Sequence, residues 1–202
     1  MRQAIGRGVL RLLRYQLVGE DPPAEPVSVF VAFPHTSWLD LPLMLGIAWA
    51  HDLPPGFLAK KELFRAPFAG LLRSVGGIAV DRANPGSLVA DLTARARSGR
   101  PLALVIAPEG TRGGTGPWKS GFYRIAQDAD VPLVLGYVDR PTRTCGLGPS
   151  FRPSGDVRAD MDRIRAFYAD KHGAKPIPLA VPSLREEDAD LPPQGRGGLI
   201  QE

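Results

Sequence analysis

At 202 residues the chain is long enough for one compact domain and too short for two comfortable ones. Its apolar fraction of 44% and charged fraction of 23% belong to a globular protein with a core, and its one cysteine, Cys145, excludes an intramolecular disulfide and a cysteine-rich metal site. The net charge of +4 is uneven: residues 1–184 hold 23 basic and 16 acidic side chains, a net of +7, which suits a phosphate-bearing ligand, an acidic lipid surface or nucleic acid.

Residues 1–18 place Ile5, Val9, Leu12, Leu13 and Leu17 at helical spacing, with Arg2, Arg7, Arg11 and Arg14 filling much of the remainder. This pattern predicts a basic amphipathic helix within residues 1–20. Such a helix either lies on an anionic membrane surface or docks on the core with its arginines in water. After the Pro-rich link "EDPPAEP", "VSVFVAF" reads as a buried strand and "LDLPLMLGIAWA" as a helix. That helix is too short to span a bilayer, and the N-terminus lacks the pattern of a signal peptide. The expected setting is the cytoplasmic side of the cell membrane, peripherally bound.

"GFLAK" and "GGIAV" are expected strands, separated by a helix at "APFAGLLRSV". "PGSLVADLTARARSG" forms an amphipathic helix, with Ser87 as a cap and Gly99 as a stop. "PLALVIA" is the clearest buried strand, followed by a helix over 120–129 and a strand at "VPLVLGYV". "TRTCGLGPSF" suits a hairpin or an edge strand. "DVRADMDRIRAFYADKHG" is a helix capped at Asp156 and ended by Gly173. The acidic, Pro- and Gly-rich segment 185–202 is expected to be disordered, leaving 21–184 as the folded domain. Alternating strands and helices predict a single α/β domain with a mixed, largely parallel sheet flanked by helices. In such domains ligands gather beyond the carboxyl ends of the strands.

Two of these strand ends carry chemistry. "FPHTSWLD" places His35 and Asp40 five residues apart. On one continuous helix they would point about 140° apart and could not meet. A helix starting only near Trp38, capped by Thr36 or Ser37, leaves His35 in the turn and lets Asp40 fold back towards it. A carboxylate bonded to one ring nitrogen leaves the other free to take a proton, which makes a general base. The second end, "LVIAPEGTRGG", bears Glu109, Gly110, Thr111 and Arg112. Gly110 permits positive φ, Arg112 can hold a phosphate by paired hydrogen bonds, and Glu109 can accept from a ligand hydroxyl. Lys60 in "AKKELF" and Arg82 in "VGGIAVDR" add cations at further strand ends. A histidine surrounded by strand-end cations describes a site for an anionic substrate with a hydroxyl.

The order His-x-x-x-x-Asp, Gly-x-x-x-Ile/Val-x-Arg, Pro-Glu-Gly-Thr-Arg and Val-Pro followed by apolar residues resembles the glycerolipid acyltransferases, over roughly residues 27–140. The resemblance implies transfer of a fatty acyl group from a thioester of coenzyme A or acyl carrier protein to the hydroxyl of a lysophospholipid such as 1-acyl-glycerol-3-phosphate. It implies His35 as the base and Asp40 as its orienting partner. It links Lys60, Arg82 and Arg112 to phosphate contact, and Glu109 and Gly110, beside Thr111, to acceptor binding. No metal or other cofactor is expected beyond the acyl-CoA or acyl-ACP co-substrate.

Three positions depart from the family pattern: Pro34 stands where many relatives have Asn, Ala79 replaces an aromatic residue, and Ala107 replaces a Phe. These changes surround the acceptor site and leave another hydroxylated lipid or a glycolipid open as acceptor. A non-catalytic lipid-binding module is the remaining alternative, against which the intact His35–Asp40 pair argues. No stacking platform for single-stranded nucleic acid is recognisable. Transfer is expected to be direct, because no Gly-x-Ser-x-Gly elbow occurs and Cys145 reads as an incidental thiol. Backbone donors of the His35 turn or of the Gly110 turn are the candidates for stabilising the oxyanion.

Overall fold

The computed structural model describes residues 1–65, 67–80 and 85–188, without the side chains of residues 60, 85–88 and 188. In chain order the elements are α1 (Arg2–Leu12), β1 (Gln16–Leu17), β2 (Val27–Ala32), α2 (Asp40–Ala50), β3 (Pro55–Lys60), α3 (Ala69–Ser74) and β4 (Gly77–Val80). There follow α4 (Pro85–Arg97), β5 (Leu102–Ile106), α5 (Gly121–Ala129), β6 (Leu133–Asp139), β7 (Thr144–Phe151) and α6 (Val157–Tyr168). Short 3-10 turns occupy Lys61–Leu63 and Arg185–Asp188.

One seven-stranded sheet, in the order β1-β7-β6-β2-β5-β3-β4, runs through the domain. Every neighbouring pair is parallel except β6 and β7. Strands covered on both faces need apolar residues at successive positions rather than alternate ones. That is why "VSVFVA" in β2 and "LALVI" in β5 read as continuous runs and are buried almost throughout. Val27, Val29, Val31 and Leu104 face one layer with Phe122, Ile125, Met161 and Ile164 from α5 and α6. Phe30, Ala103 and Val134 face the other, with Leu10 of α1 and Leu43 and Ile47 of α2. The architecture is therefore a largely parallel α/β sandwich, as the alternation in the sequence implies.

Differences from the sequence expectation lie at the ends of elements. The first helix stops at Leu12 instead of continuing through residue 18, and Arg14 takes a left-handed conformation at φ 61°. Gln16 and Leu17 instead pair in parallel with Thr144 and Cys145 of β7. An open ladder on β7 outweighs the helical preference of two residues, and β7 is thereby displaced from the sheet edge. Asp156 caps α6, accepting from the Ala159 N–H at 3.0 Å, but the helix ends at Tyr168 rather than Gly173. Residues beyond it turn back to the sheet, where the Gly173 carbonyl accepts from Arg140 N–H at 3.1 Å. Arg185–Asp188, the first residues of the segment expected to be disordered, form a 3-10 turn anchored by Glu187 on Arg165 at 2.7 Å. Residues 189–202, the Ser87 side chain and Arg82 lie outside the described residues.

Helix α1 docks on the core by a face that the apolar spacing did not mark. Gly6 and Leu10 are its buried residues, while Ile5 and Leu12 stay exposed, Leu12 by 82%. The reason is backbone proximity: a Cβ on Gly6 would stand 2.4 Å from Ala50 N and 2.6 Å from Gly46 O of α2. Replacing Gly6 by valine is therefore expected to force the two helices apart and destabilise the protein by about 1–3 kcal/mol. Thermal unfolding followed by circular dichroism checks this, and an unchanged midpoint would contradict the packing described. Among the described residues, no helix is long and apolar enough to cross a membrane.

Candidate active site

The carboxyl ends of parallel strands β2, β5, β3 and β4 open on one edge of the sheet, and the chemistry gathers above β2 and β5. The chain leaves β2 through Phe33 and a cis Phe33–Pro34 peptide, turns over residues 35–39 and enters α2 at Asp40. His35 Nδ1 lies 2.9 Å from Asp40 Oδ2. The same oxygen accepts from Thr36 N–H at 2.7 Å and from Ser37 N–H at 2.8 Å, and Ser37 Oγ accepts from Leu39 N–H at 3.2 Å. The expected cap at Thr36 or Ser37 is not formed: Leu39 is the N-cap, without a side-chain cap bond, while Ser37 Oγ serves Leu39 N–H inside the turn and Thr36 Oγ1 accepts from Lys175 N–H. The turn brings the two side chains together as a break in the helix requires.

A carboxylate can only accept, so the shared proton belongs to Nδ1 and the lone pair is left on Nε2. The His35 side chain is 28% exposed, which gives a substrate access to it. Asp40 Oδ1 is buried and has no hydrogen-bond partner among the described residues. The ring is therefore held, and Nε2 is available.

The turn after β5 closes over the same place. Gly110 takes φ +71° and donates its N–H to Ala107 O at 3.1 Å. Glu109 Oε2 accepts from the backbone N–H of His35 at 2.8 Å, a contact spanning 74 residues. Gly113 N–H donates to the His35 carbonyl at 2.9 Å. Burial pushes the Glu109 carboxyl up to about 7, against the opposing pull of the His35 N–H bond. The Arg112 guanidinium stacks 3.7 Å from the ring centre of Trp38, so this cation sits beside the His35 turn. Thr111 is exposed on the same loop. The N–H groups of His35, Thr36 and Ser37 are all already donated, as are those of Gly110 to Ala107 O and of Gly113 to the His35 carbonyl, so these five are not free to serve as oxyanion donors.

The structure brings His35, Asp40, Glu109, Gly110, Thr111 and Arg112 to one edge. Lys60 closes β3 at the same edge, opposite Val80, though its side chain, like the whole of Arg82, lies outside the described residues. Sequence reasoning missed Lys119, whose Nζ would stand 3.3 Å from a Cβ on Gly110 and whose N–H donates to Pro108 O at 2.9 Å. The signal for it was a lysine just beyond the Gly-rich turn. It also missed the return of the chain after α6, where Lys175 N–H donates to Thr36 Oγ1 at 2.9 Å. No local pattern points to that contact.

A small apolar cleft of about 70 Å³ begins at His35 and Asp40 and runs between α2 and the sheet, past Met44, Ile47, Val105 and Leu147. Met44 of α2 lines it, whereas Leu43 is core and Leu41 faces solvent. Cys145 is buried and its thiol is pushed up to about 12 by burial, which makes it an inert packing group. His51 lies 3.8 Å from Asp21, and His172 bonds Asp139 at 3.1 Å, so each has a carboxylate partner away from the Glu109 turn. No group of three or more potential metal ligands occurs among the described residues.

The sequence model of the Acyltransferase family matches residues 16–135. A 1-acyl-sn-glycerol-3-phosphate acyltransferase of Cocos nucifera is 35% identical over 108 residues, 50% of this chain and 33% of that protein. One of Limnanthes alba is 32% identical over 94 residues, 44% of this chain and 34% of that protein. The matched region thus spans about a third of the length of these curated relatives. Among solved structures, the 1-acyl-sn-glycerophosphate (LPA) acyltransferase PlsC of Thermotoga maritima shares the fold with a TM-score of 0.55 at 22% identity. That match covers 76% of this chain and 68% of the other.

Proposed function

The chain belongs to the acyltransferase family, and from that premise we propose that it moves a fatty acyl group from acyl-CoA or acyl-ACP to a lysophospholipid hydroxyl, 1-acyl-glycerol-3-phosphate being the leading acceptor. The observation that carries this reading is the bond between His35 Nδ1 and Asp40 Oδ2 at the mouth of an apolar cleft. His35 Nε2 takes the proton of the acceptor hydroxyl as its oxygen attacks the thioester carbonyl. The carbonyl oxygen becomes an oxyanion, the carbon–sulfur bond breaks, and the imidazolium returns the proton to the departing thiolate. An ester and a free thiol result, with no acyl-enzyme.

Each part of the substrate has a matching surface. The cleft under α2, whose lining is almost entirely apolar, suits the first carbons of the acyl chain next to the thioester. Arg112, held by Trp38, is suited to the acceptor's phosphate, with Lys60 and Arg82 as further candidates. The turn at Gly110, with its positive φ, is suited to close approach by the glycerol backbone. For the cytoplasmic membrane face, support comes from α1: Ile5 and Leu12 are exposed beside exposed Arg2, Arg7 and Arg11. Exposed Trp38 and Leu39 stand at the site's own edge.

The test is product analysis by mass spectrometry after incubating purified protein with a panel of lysolipids and both classes of thioester. Phosphatidic acid formed from 1-acyl-glycerol-3-phosphate is the expected result. If no donor and acceptor pair yields an ester, the reading fails.

A further inference from the structure

The backbone of His35 is gripped from both sides by the turn that follows β5. We infer that Glu109 is a positioning residue, whose carboxyl, together with the Gly113 N–H, fixes the His35 peptide and so aims the imidazole. The inference rests on the proposed acyl transfer for its kinetic readout, and it assigns Glu109 a task other than holding the acceptor.

Three observations carry it. Glu109 Oε2 is engaged by His35 N–H at 2.8 Å. The residue is only 9% exposed and its other oxygen, Oε1, is buried with no hydrogen-bond partner among the described residues, so little of the carboxyl is presented to an incoming acceptor. On the opposite side of the peptide, Gly113 N–H reaches the His35 carbonyl at 2.9 Å. Asp40 sets the ring and its tautomer, but a ring also needs its Cα fixed. Glu109 and Gly113 do that from a different strand end, across the boundary between β2 and β5.

The carboxyl need not be ionised for this task. Burial raises Glu109 to about 7, so both forms exist near neutrality, and in either an oxygen can accept from the His35 N–H. A glutamine carbonyl can replace it; a methyl group cannot. A carboxylate that bound the acceptor by charge would give the opposite pattern.

Glu109→Ala and Glu109→Gln separate the two roles. With an acyl-CoA donor and 1-acyl-glycerol-3-phosphate, Glu109→Ala is expected to lower kcat about 10- to 100-fold, the scale of a displaced catalytic group, while the acceptor KM stays within about threefold. Glu109→Gln should recover at least about tenfold of that loss, because it restores the acceptor for the His35 N–H. A raised acceptor KM with kcat held in either variant would overturn the inference. Amide hydrogen exchange at His35 supplies a readout independent of turnover. Exchange at least about tenfold faster in Glu109→Ala than in wild type, with protection kept in Glu109→Gln, supports the grip; equal exchange in all three overturns it. If Glu109→Ala does not fold, Glu109→Gln decides alone, since loss of His35 protection there is equally fatal. A wild type that makes no ester would remove the acyltransferase reading while leaving the exchange result to judge the grip.

Discussion

With His35 replaced by alanine, acyl transfer is expected to fall about 100- to 10,000-fold, the range supplied by a positioned general base. The magnitude follows from losing the group that takes the hydroxyl proton. A hydroxyl is a poor nucleophile until its proton is taken, and Nε2 of His35 is the basic nitrogen held at the mouth of the cleft. The other two histidines do not substitute, since His51 lies by Asp21 and His172 by Asp139. The fold should survive, because the turn is held by backbone bonds from Glu109 and Gly113 that an alanine still makes. Steady-state rates with saturating thioester, alongside a melting curve, check both parts. A folded variant that retains more than about a tenth of wild-type turnover would exclude His35 as the base.

Asp40 gives the second large effect, and two variants divide its duties. Asp40→Ala removes the acceptor for the ring and for the Thr36 and Ser37 N–H groups at once. It should lose activity about 100-fold or more and cost about 1–3 kcal/mol of stability, from two part-buried donors left unpaired. Asp40→Asn is the sharper probe. Its carbonyl oxygen can take the place of Oδ2 and accept from the turn and from His35 Nδ1 alike, but a neutral amide lacks the charge that stabilises the imidazolium formed as the proton is taken. The turn and the tautomer are then kept while the charge is lost, and kcat should drop about 100-fold with the melting temperature nearly kept. Normal turnover in Asp40→Asn would mean that the charge of this carboxylate plays no part in the proton transfer.

The two variants bear on different links of the same chain of causes. His35 tests the atom that moves the proton, and Asp40 tests the state in which that atom is presented. Glu109 tests where it is presented. Loss through all three, with the acceptor KM moving in none, is the pattern expected of one catalytic unit built by two strand ends.

Much of the fold was legible because parallel strands buried on both faces leave continuous apolar runs. "VSVFVA", "LALVI" and "LVLGYV" could be placed within a residue or two. The fold-back of Asp40 onto the turn was legible too, since its hydrogen bonds to Thr36 and Ser37 lie within four residues, although the side-chain cap expected at Thr36 or Ser37 is not formed. Other elements were not. β1 has two residues and exists because β7 offers an unpaired ladder. The buried face of α1 is centred on Gly6, which has no side chain to mark it; it docks because its backbone can lie against Gly46 and Ala50. An amphipathic pattern reports where side chains are apolar, and a close helix contact is decided by where they are absent.

By itself the sequence determined the class of architecture and the types of group at the site: an imidazole with a carboxylate near it, and a glycine turn bearing a glutamate and an arginine. Only the tertiary structure decided which atoms meet. Strand order set β5 beside β2, which brought Glu109 to the His35 N–H across 74 residues, and it laid Arg112 on Trp38. It also turned Lys119 over Gly110 and opened the apolar cleft under α2. The physical reason is range. Periodicity, capping and turn preference act over a few residues and are written in neighbouring letters, whereas contacts between strand ends depend on how whole layers pack to bury their apolar faces.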